Sequence, residues 1–281
     1  MDNYKQTLPR YESMKYRRCG QSGLLLPEIS LGFWHNFGAD ASKDNCREIV
    51  ECAFDNGITY FDLSNNYGPP CGAAESLFGE IFWSSLAAHR DEVVIATKAG
   101  HDMWPGPYGE WGSRKTIIAS IDQSLKRMKL DYVDIFYSHR PDPLTPIEET
   151  MQAFVDVVRQ GKALYVGLSK YPPEMAAKAY AYLREQHVPC LVYQGRYNMI
   201  DRNVEPEILP QAEAAGAGFV AFSPLAQGLL TGKYQHGIPE GSRMTHSGFL
   251  KPDVLTPELL EQIAVWGKEA EAEGITLAQY A

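Results

Sequence analysis

Four side chains spaced along this chain, Asp62, Tyr67, Lys98 and His139, are the types needed to deliver a proton to a reacting oxygen. A carbonyl that accepts hydride must also receive a proton on oxygen, from an acid held close to it. Tyrosine alone is a reluctant donor near neutral pH, because its ordinary pKa is about 10. A neighbouring lysine cation stabilises the tyrosinate and is expected to lower that value, while a carboxylate keeps the lysine oriented and charged. His139 can hydrogen-bond the carbonyl oxygen as charge builds there. Taken singly, Asp62 and Lys98 also read as an ordinary buried ion pair, and His139 as a satisfied core histidine. Four such residues in register exceed what packing requires.

Residues so far apart in the chain need a scaffold that gathers strand ends at one edge. Short apolar, β-branched runs alternate with helical patterns: EISL (28–31), TYFD (59–62), VVIAT (93–97), YVDIF (132–136), LYVGL (164–168), LVYQ (191–194) and GFVAF (218–222). Runs this uniformly apolar fit parallel strands covered on both faces. Their starts lie about 30 to 40 residues apart, the length of one βα unit. Ser42 opens a helix that Asn56-Gly57 closes, and Ser113 opens another with Arg127 and Lys129 in its last turn, where the helix dipole favours cations. Pro146 suits the first turn of a helix over 147–160, stopped by Gly161. Residues 16–27 read as a hairpin turning at Gly20-Gln21-Ser22-Gly23, placed to plug the bottom of a barrel.

Seven βα units in series, with no linker between them, point to an α/β fold of the (β/α)8 TIM-barrel type, as one domain over 1–281. A doubly wound sheet would carry a Gly-rich turn after its first strand. The one G-x-G-x-x-A string (Gly216, Gly218, Ala221) precedes a strand, so it reads as a helix stop. An eighth βα unit is missing: after a long loop and a helix over 258–273, Thr276 caps a further helix that is cut short. Because an open seven-stranded barrel leaves two unpaired edges, the natural protein is expected to continue beyond Ala281.

Composition narrows the classes. The formal charge of −9 argues against nucleic acid, which needs clustered Lys and Arg; Lys15, Arg17 and Arg18 make only a short basic run. The N-terminal MDNYKQTLPR has no apolar core of a signal peptide, and no apolar run is long enough to span a bilayer. Five cysteines without a C-x-x-C pair suit reduced thiols, hence a cytoplasmic home. His35, His89, His101, His187, His236 and His246 show no metal-ligand spacing, so no metal is expected.

In a barrel the active site lies at the C-terminal strand ends. Those ends carry Trp34, Asp62 with Tyr67 in its loop, Lys98, His139, Ser169 with Lys170, Gln194, and then Ser223-Pro224-Leu225. The strings FDLSNNYG (61–68), ATKAG (96–100) and YSHRPD (137–142) resemble the catalytic motifs of the aldo-keto reductase superfamily. GLSKY (167–171), Gln194 and SPLAQGLLTGKY (223–234) resemble that family's nicotinamide-cofactor contacts. SLGFWHNFG (30–38), NNYGPPCGAAE (65–75) and TKAGHDMWPGPYG (97–109) resemble bacterial reductases of L-glyceraldehyde 3-phosphate, in a subgroup with the β-subunits of voltage-gated potassium channels.

The resemblance implies Tyr67 as general acid, with Asp62, Lys98 and His139 completing a tetrad. It implies cofactor contacts from Trp34, Asp62, Ser169, Lys170 and Gln194, then from Ser223, Leu225, Gln227 and Gly228, and from Lys233 and Arg243. The family's aromatic platform for the nicotinamide is left open between Tyr193 and Tyr197. NADP, small aldehyde substrates such as L-glyceraldehyde 3-phosphate or methylglyoxal, and a homo-oligomer follow from the resemblance alone.

Several residues keep two readings. Trp104, Tyr108 and Trp111 suit either surface packing or a substrate wall. Arg114 and Lys115 open a helix, as a solvated first turn or as a grip on substrate phosphate. Arg140 either binds substrate or pairs with Asp142. Two other functions compete with a reductase: a cofactor-binding regulatory subunit docked on a channel, and a barrel hydrolase with paired carboxylates. The channel subunits resemble the tetrad but carry Asn where this chain has His139. For the hydrolase, no second acid is in view at the strand ends beside Asp62.

Overall fold

The structure is a computed structural model that describes residues 10–235, 237–246 and 248–281. The N-terminal residues read above for a leader therefore lie mostly outside the described residues, as do His236 and the side chain of His246. The chain divides into two compact units, residues 1–194 with 207–219, and residues 195–206 with 220–281.

The first unit opens with a short helix, α1 (Arg10–Ser13), and an antiparallel hairpin of β1 (Tyr16–Arg18) and β2 (Leu25–Pro27). Its turn is pressed against backbone. A Cβ on Gly20, whose φ is +56°, would lie 2.2 Å from the Gly216 carbonyl oxygen, and the Gln21 N–H donates to that same oxygen at 2.9 Å. Only glycine tolerates that combination of φ and proximity. Cys19 Sγ reaches the Leu191 carbonyl at 3.5 Å, so the hairpin covers the N-terminal ends of later strands.

Those strands form a sheet whose order follows the sequence: β3 (Leu31–Gly32), β4 (Tyr60–Asp62), β5 (Val94–Ala99), β6 (Val133–Ser138), β7 (Ala163–Ser169), β8 (Cys190–Arg196) and β9 (Gly218–Phe222). Every pair from β3 to β8 is parallel, and β4, β5 and β6 are buried at every position, as two-sided packing demands. The first strand is shifted from the 28–31 expected, because the Glu28 N–H is held by the Lys15 carbonyl at the hairpin.

Between the strands run α2 (Lys43–Asp55), α3 (Ala73–Ile81), α4 (Arg114–Met128), α5 (Ile147–Arg159), α6 (Pro173–Glu185) and α7 (Ile208–Ala215). Ser42 and Ser113 cap α2 and α4 as expected, accepting from Asn45 N and Thr116 N. Pro146 is the N-cap of α5 and not a first-turn residue. Lys129 lies past the end of α4 in a left-handed conformation, and Arg127 turns to a buried partner, Glu75, at 2.7 Å. Gly216 closes α7 with φ +76°, which makes the G-x-G-x-x-A string a helix stop.

The second unit is built around Leu229, Tyr234, Met244, Leu250, Ile263 and Leu277. It holds α8 (Arg243–His246), α9 (Pro257–Ala272) capped by Thr256, and α10 (Leu277–Tyr280), where Thr276 and Gln279 form a reciprocal capping box. No helix among the described residues is long and apolar enough to cross a membrane.

Candidate active site

Parallel register brings the expected residues of the first unit together. Asp62 ends β4 opposite Ala96, Lys98 lies opposite Tyr137, and Ser169 opposite Gln194. His139 follows β6 with its N–H on the Ala99 carbonyl at 2.9 Å. The loop bearing Tyr67 is pinned at both ends: Asn65 N donates to Lys98 O at 3.1 Å, and Ala74 N to Tyr67 O at 3.2 Å.

Lys98 is the hub. Its Nζ, fully buried, donates to Asp62 Oδ2 at 2.6 Å, to the Leu63 carbonyl at 2.7 Å and to the Tyr67 hydroxyl at 3.3 Å. Three acceptors match the three donors of an ammonium. Gln194 Nε2 donates to Asp62 Oδ1 at 3.0 Å, and the Tyr60 hydroxyl reaches that oxygen at 3.3 Å. Asp62 is therefore held by a cation and two neutral donors, with no second carboxylate among its hydrogen-bond partners. The His139 ring stands edge-on to Tyr67, centroids 5.8 Å apart, and its Nδ1 lies 2.9 Å from Ser64 Oγ.

Electrostatics corrects one expectation. Burial raises the Tyr67 pKa, Lys98 opposes this, Asp62 adds to it, and the net shift is upward, not downward. The phenol thus stays protonated in the resting protein. For Lys98, burial presses the pKa down, but the Asp62 carboxylate and the Tyr67 oxygen outweigh it and the net direction is up, so the ammonium stays charged. Burial, then the cations Lys98 and Lys170, hold His139 far below the ordinary histidine value, and its ring is neutral.

Around this centre are residues that composition and spacing did not single out. His101 packs its ring edge-on against His139 at 4.4 Å and accepts from Lys170 Nζ at 3.3 Å. Burial, with help from Lys170 and Arg140, lowers the His101 pKa to about 4. Glu75, wholly buried, accepts from Thr97 Oγ1 at 2.5 Å and from Arg127 Nε at 2.7 Å, tying α3 to the strand that bears Lys98. A glutamate eight residues beyond the tyrosine and inside an apolar run (ESLFGEIF) was the signal available for it.

Arg140 pairs with Glu110 and not with Asp142; it also donates to the Gly100 carbonyl and lies 3.8 Å from the centre of the Trp111 ring. Asp142 instead accepts from the backbone of Gly112, Leu144 and Thr145. Arg114 is engaged with Asp156, and Lys115 sits over the Tyr108 ring at 5.2 Å. These contacts tie the 101–112 loop to Arg140, Asp142 and the start of α4 and leave Arg114 committed to Asp156.

Ser169 Oγ is fully buried and has no hydrogen-bond partner among the described residues. Lys170 follows it with φ +60°. Trp34 is partly exposed, with His35 and Asn36 beyond it in left-handed conformations. Tyr193 is committed elsewhere, its hydroxyl on the Tyr171 carbonyl and its ring stacked on Phe219, while Tyr197 bonds Glu205.

The second unit carries the other expected residues. Ser223, with φ +55°, has its carbonyl held by Asn198 Nδ2 at 3.0 Å. Leu225 precedes a tight turn in which Gln227 and Gly228 are both left-handed. A Cβ on Gly228 would meet the Lys233 side chain at 2.6 Å, and Arg243 opens α8.

Comparison with known proteins is consistent across the chain. It is 53% identical over 277 residues to L-glyceraldehyde 3-phosphate reductase of Escherichia coli (strain K12), covering 97% of this chain and 80% of that protein. It is 38% identical over 275 residues to a probable voltage-gated potassium channel subunit beta of Arabidopsis thaliana, covering 95% and 82%, and 35% identical to its counterpart in Oryza sativa subsp. japonica. The aldo/keto reductase family model matches residues 28–281, and the chain belongs to that family of oxidoreductases.

Proposed function

We propose that this protein reduces small aldehydes, including phosphorylated three-carbon ones such as L-glyceraldehyde 3-phosphate and also methylglyoxal, with NADPH as reductant and Tyr67 as general acid. The single observation that carries this is the buried line Asp62–Lys98–Tyr67, with distances of 2.6 and 3.3 Å, beside a neutral His139.

The residues present fit a nicotinamide. Among the described residues Ser169 Oγ is a buried orphan, suited to a carboxamide, and Gln194 lies opposite it in the neighbouring strand β8. Ser169, Lys170 and Gln194 are assigned to that end of the cofactor and Trp34 to its vicinity. Ser223, Leu225, Gln227, Gly228, Lys233 and Arg243 are assigned to the rest by resemblance. When bound, NADPH supplies the hydride. As negative charge grows on the substrate oxygen, the Tyr67 O–H transfers its proton there. An alkoxide is far more basic than a phenolate, so the raised pKa of Tyr67 does not block the transfer. Lys98 stabilises the tyrosinate left behind, Asp62 keeps Lys98 charged and aimed, and His139 donates to the same oxygen.

Seven strands in sequential order and family membership support one (β/α)8-type domain over 1–281. Free thiols and the lack of a membrane-crossing helix among the described residues support a cytoplasmic setting, and a homo-oligomer is proposed from the resemblance alone. The plant relatives support a second reading, a cofactor-binding subunit of a channel. A screen of NADPH and NADH oxidation across short aldehydes tests the first. Steady turnover is expected, with NADPH preferred; cofactor binding without turnover on any aldehyde would leave the second.

A further inference from the structure

Tyr67 and Lys98 meet from two stretches of chain, the loop between β4 and α3 and the strand β5. Backbone bonds hold the start of that loop to β5: Leu63 N donates to the Ala96 carbonyl at 2.9 Å and Asn65 N to the Lys98 carbonyl at 3.1 Å. Past Tyr67 the loop runs into α3, where Ala74 N donates back to the Tyr67 carbonyl at 3.2 Å. The far side of Tyr67 therefore follows α3, and whatever fixes α3 against β5 also fixes the phenol against the ammonium. Glu75, in the first turn of α3 and wholly buried, makes that connection. Successive side chains of a strand face opposite sides, so Thr97 turns to the helices while Lys98 faces the tetrad. Thr97 Oγ1 donates to Glu75 Oε1 at 2.5 Å, and Arg127 Nε of α4 donates to Oε2 at 2.7 Å.

These contacts close a ring. It runs from the Tyr67 hydroxyl to Lys98 Nζ, along the strand to Thr97, across to Glu75, and through Ala74 back to Tyr67. Little slack is left on its outer side. A Cβ on Gly72 would lie 2.9 Å from Arg127 Cδ, and one on Gly79 would lie 2.8 Å from Met128 Cα, so α3 rests directly on the end of α4. A buried ion pair often stabilises a fold no better than apolar packing of the same volume; what it adds here is direction. We propose that Glu75 is a positioning residue for the general acid, its bonds to Thr97 and Arg127 setting the separation of the Tyr67 hydroxyl from the Lys98 ammonium. The catalytic consequence rests on the role of Tyr67 given under Proposed function; the geometric claim does not.

Three variants of the full chain separate position from stability. Thr97→Val keeps the shape and removes the donor, Thr97→Ser keeps the donor and loses a buried methyl, and Glu75→Gln can satisfy Thr97 or Arg127 but not both. With fluorotyrosine in place of tyrosine, the fluorine resonance of Tyr67, identified by its loss in Tyr67→Phe, reports its setting without any turnover. It should shift or broaden in Thr97→Val and Glu75→Gln and stay in place in Thr97→Ser. Single-turnover hydride transfer from NADPH to glyceraldehyde, per cofactor-binding site, should fall about tenfold in the first two variants. That is short of the roughly 10²-fold that a misplacement of about 1 Å can cost. Thr97→Ser should keep the wild-type rate although its urea midpoint drops. A rate that follows the urea midpoint across the three variants overturns the proposal, as does a rate and a resonance unchanged in both Thr97→Val and Glu75→Gln. A wild type that turns over no aldehyde defeats the proposed function instead; a Tyr67 resonance displaced in those two variants and not in Thr97→Ser still upholds the positioning.

Discussion

The Lys98 ammonium stands 3.3 Å from the Tyr67 hydroxyl, inside the protein and away from water. At that separation a cation stabilises a tyrosinate strongly, yet the cost of burying the anion is larger still, and the phenol keeps its proton. Under the proposed function, the pair holds a loaded acid that discharges when the substrate oxygen becomes basic.

Tyr67→Phe removes that proton and little else. Hydride transfer in single turnover should fall by about 10²–10⁴-fold, the usual contribution of a positioned acid. Cofactor affinity, followed by fluorescence titration, should stay within about twofold, since the ring remains. Wild-type turnover in this variant would rule out Tyr67 as the acid.

Glu75→Ala leaves Arg127 and Thr97 without the carboxylate they share. Breaking a buried pair from one side costs about 3–5 kcal/mol, read as a lower urea midpoint. Glu75→Gln keeps an acceptor for one of the two partners and should lose less.

Stability should fall in alkali. Both Lys98 and Tyr67 have folded pKa values above their ordinary ones, so the folded state holds protons that the unfolded chain has released. The contribution is fully present below about pH 10 and is lost as pH rises through the folded values. Urea midpoints at pH 8 and pH 11 test this; Lys98→Met combined with Asp62→Asn and Tyr67→Phe should lessen the decline, while the buried Tyr60 and Tyr137, also raised by burial, act in the same direction and stay.

Acid acts through His101. Its pKa is lowered to about 4, mainly by burial, so the unfolded chain takes up a proton below about pH 6.5 that the folded protein refuses. Stability is present above that pH and is lost as it falls toward 4. His101→Asn should recover on the order of 1 kcal/mol of the loss between pH 7 and pH 4, after allowance for its partial exposure. Equal losses in both proteins would exclude His101 as a source; His139 acts in the same direction and stays in both.

Periodicity and composition alone revealed alternating strands and helices, because short uniformly apolar runs and stripes with a period of 3.6 are local properties of the chain. The clustering of Asp62, Lys98 and His139 was legible for a similar reason: they sit near or just beyond strand ends, and parallel register carries strand ends to one edge whatever the loops do. Helix stops such as Gly216 were equally local.

What needed three dimensions was every quantity summed over neighbours from distant segments. Nothing near Tyr67 in sequence says that burial would outweigh Lys98, since desolvation depends on all that packs around the hydroxyl. Arg140 chose Glu110, thirty residues back, over Asp142 two residues on, because the 101–112 loop folds across it and Asp142 is taken up by backbone N–H groups. The roles of Ser64 and His101 beside His139 became visible only once strands β4, β5 and β6 were side by side. Charge and composition name the groups; the dielectric and the partners that decide what those groups do are made by the fold.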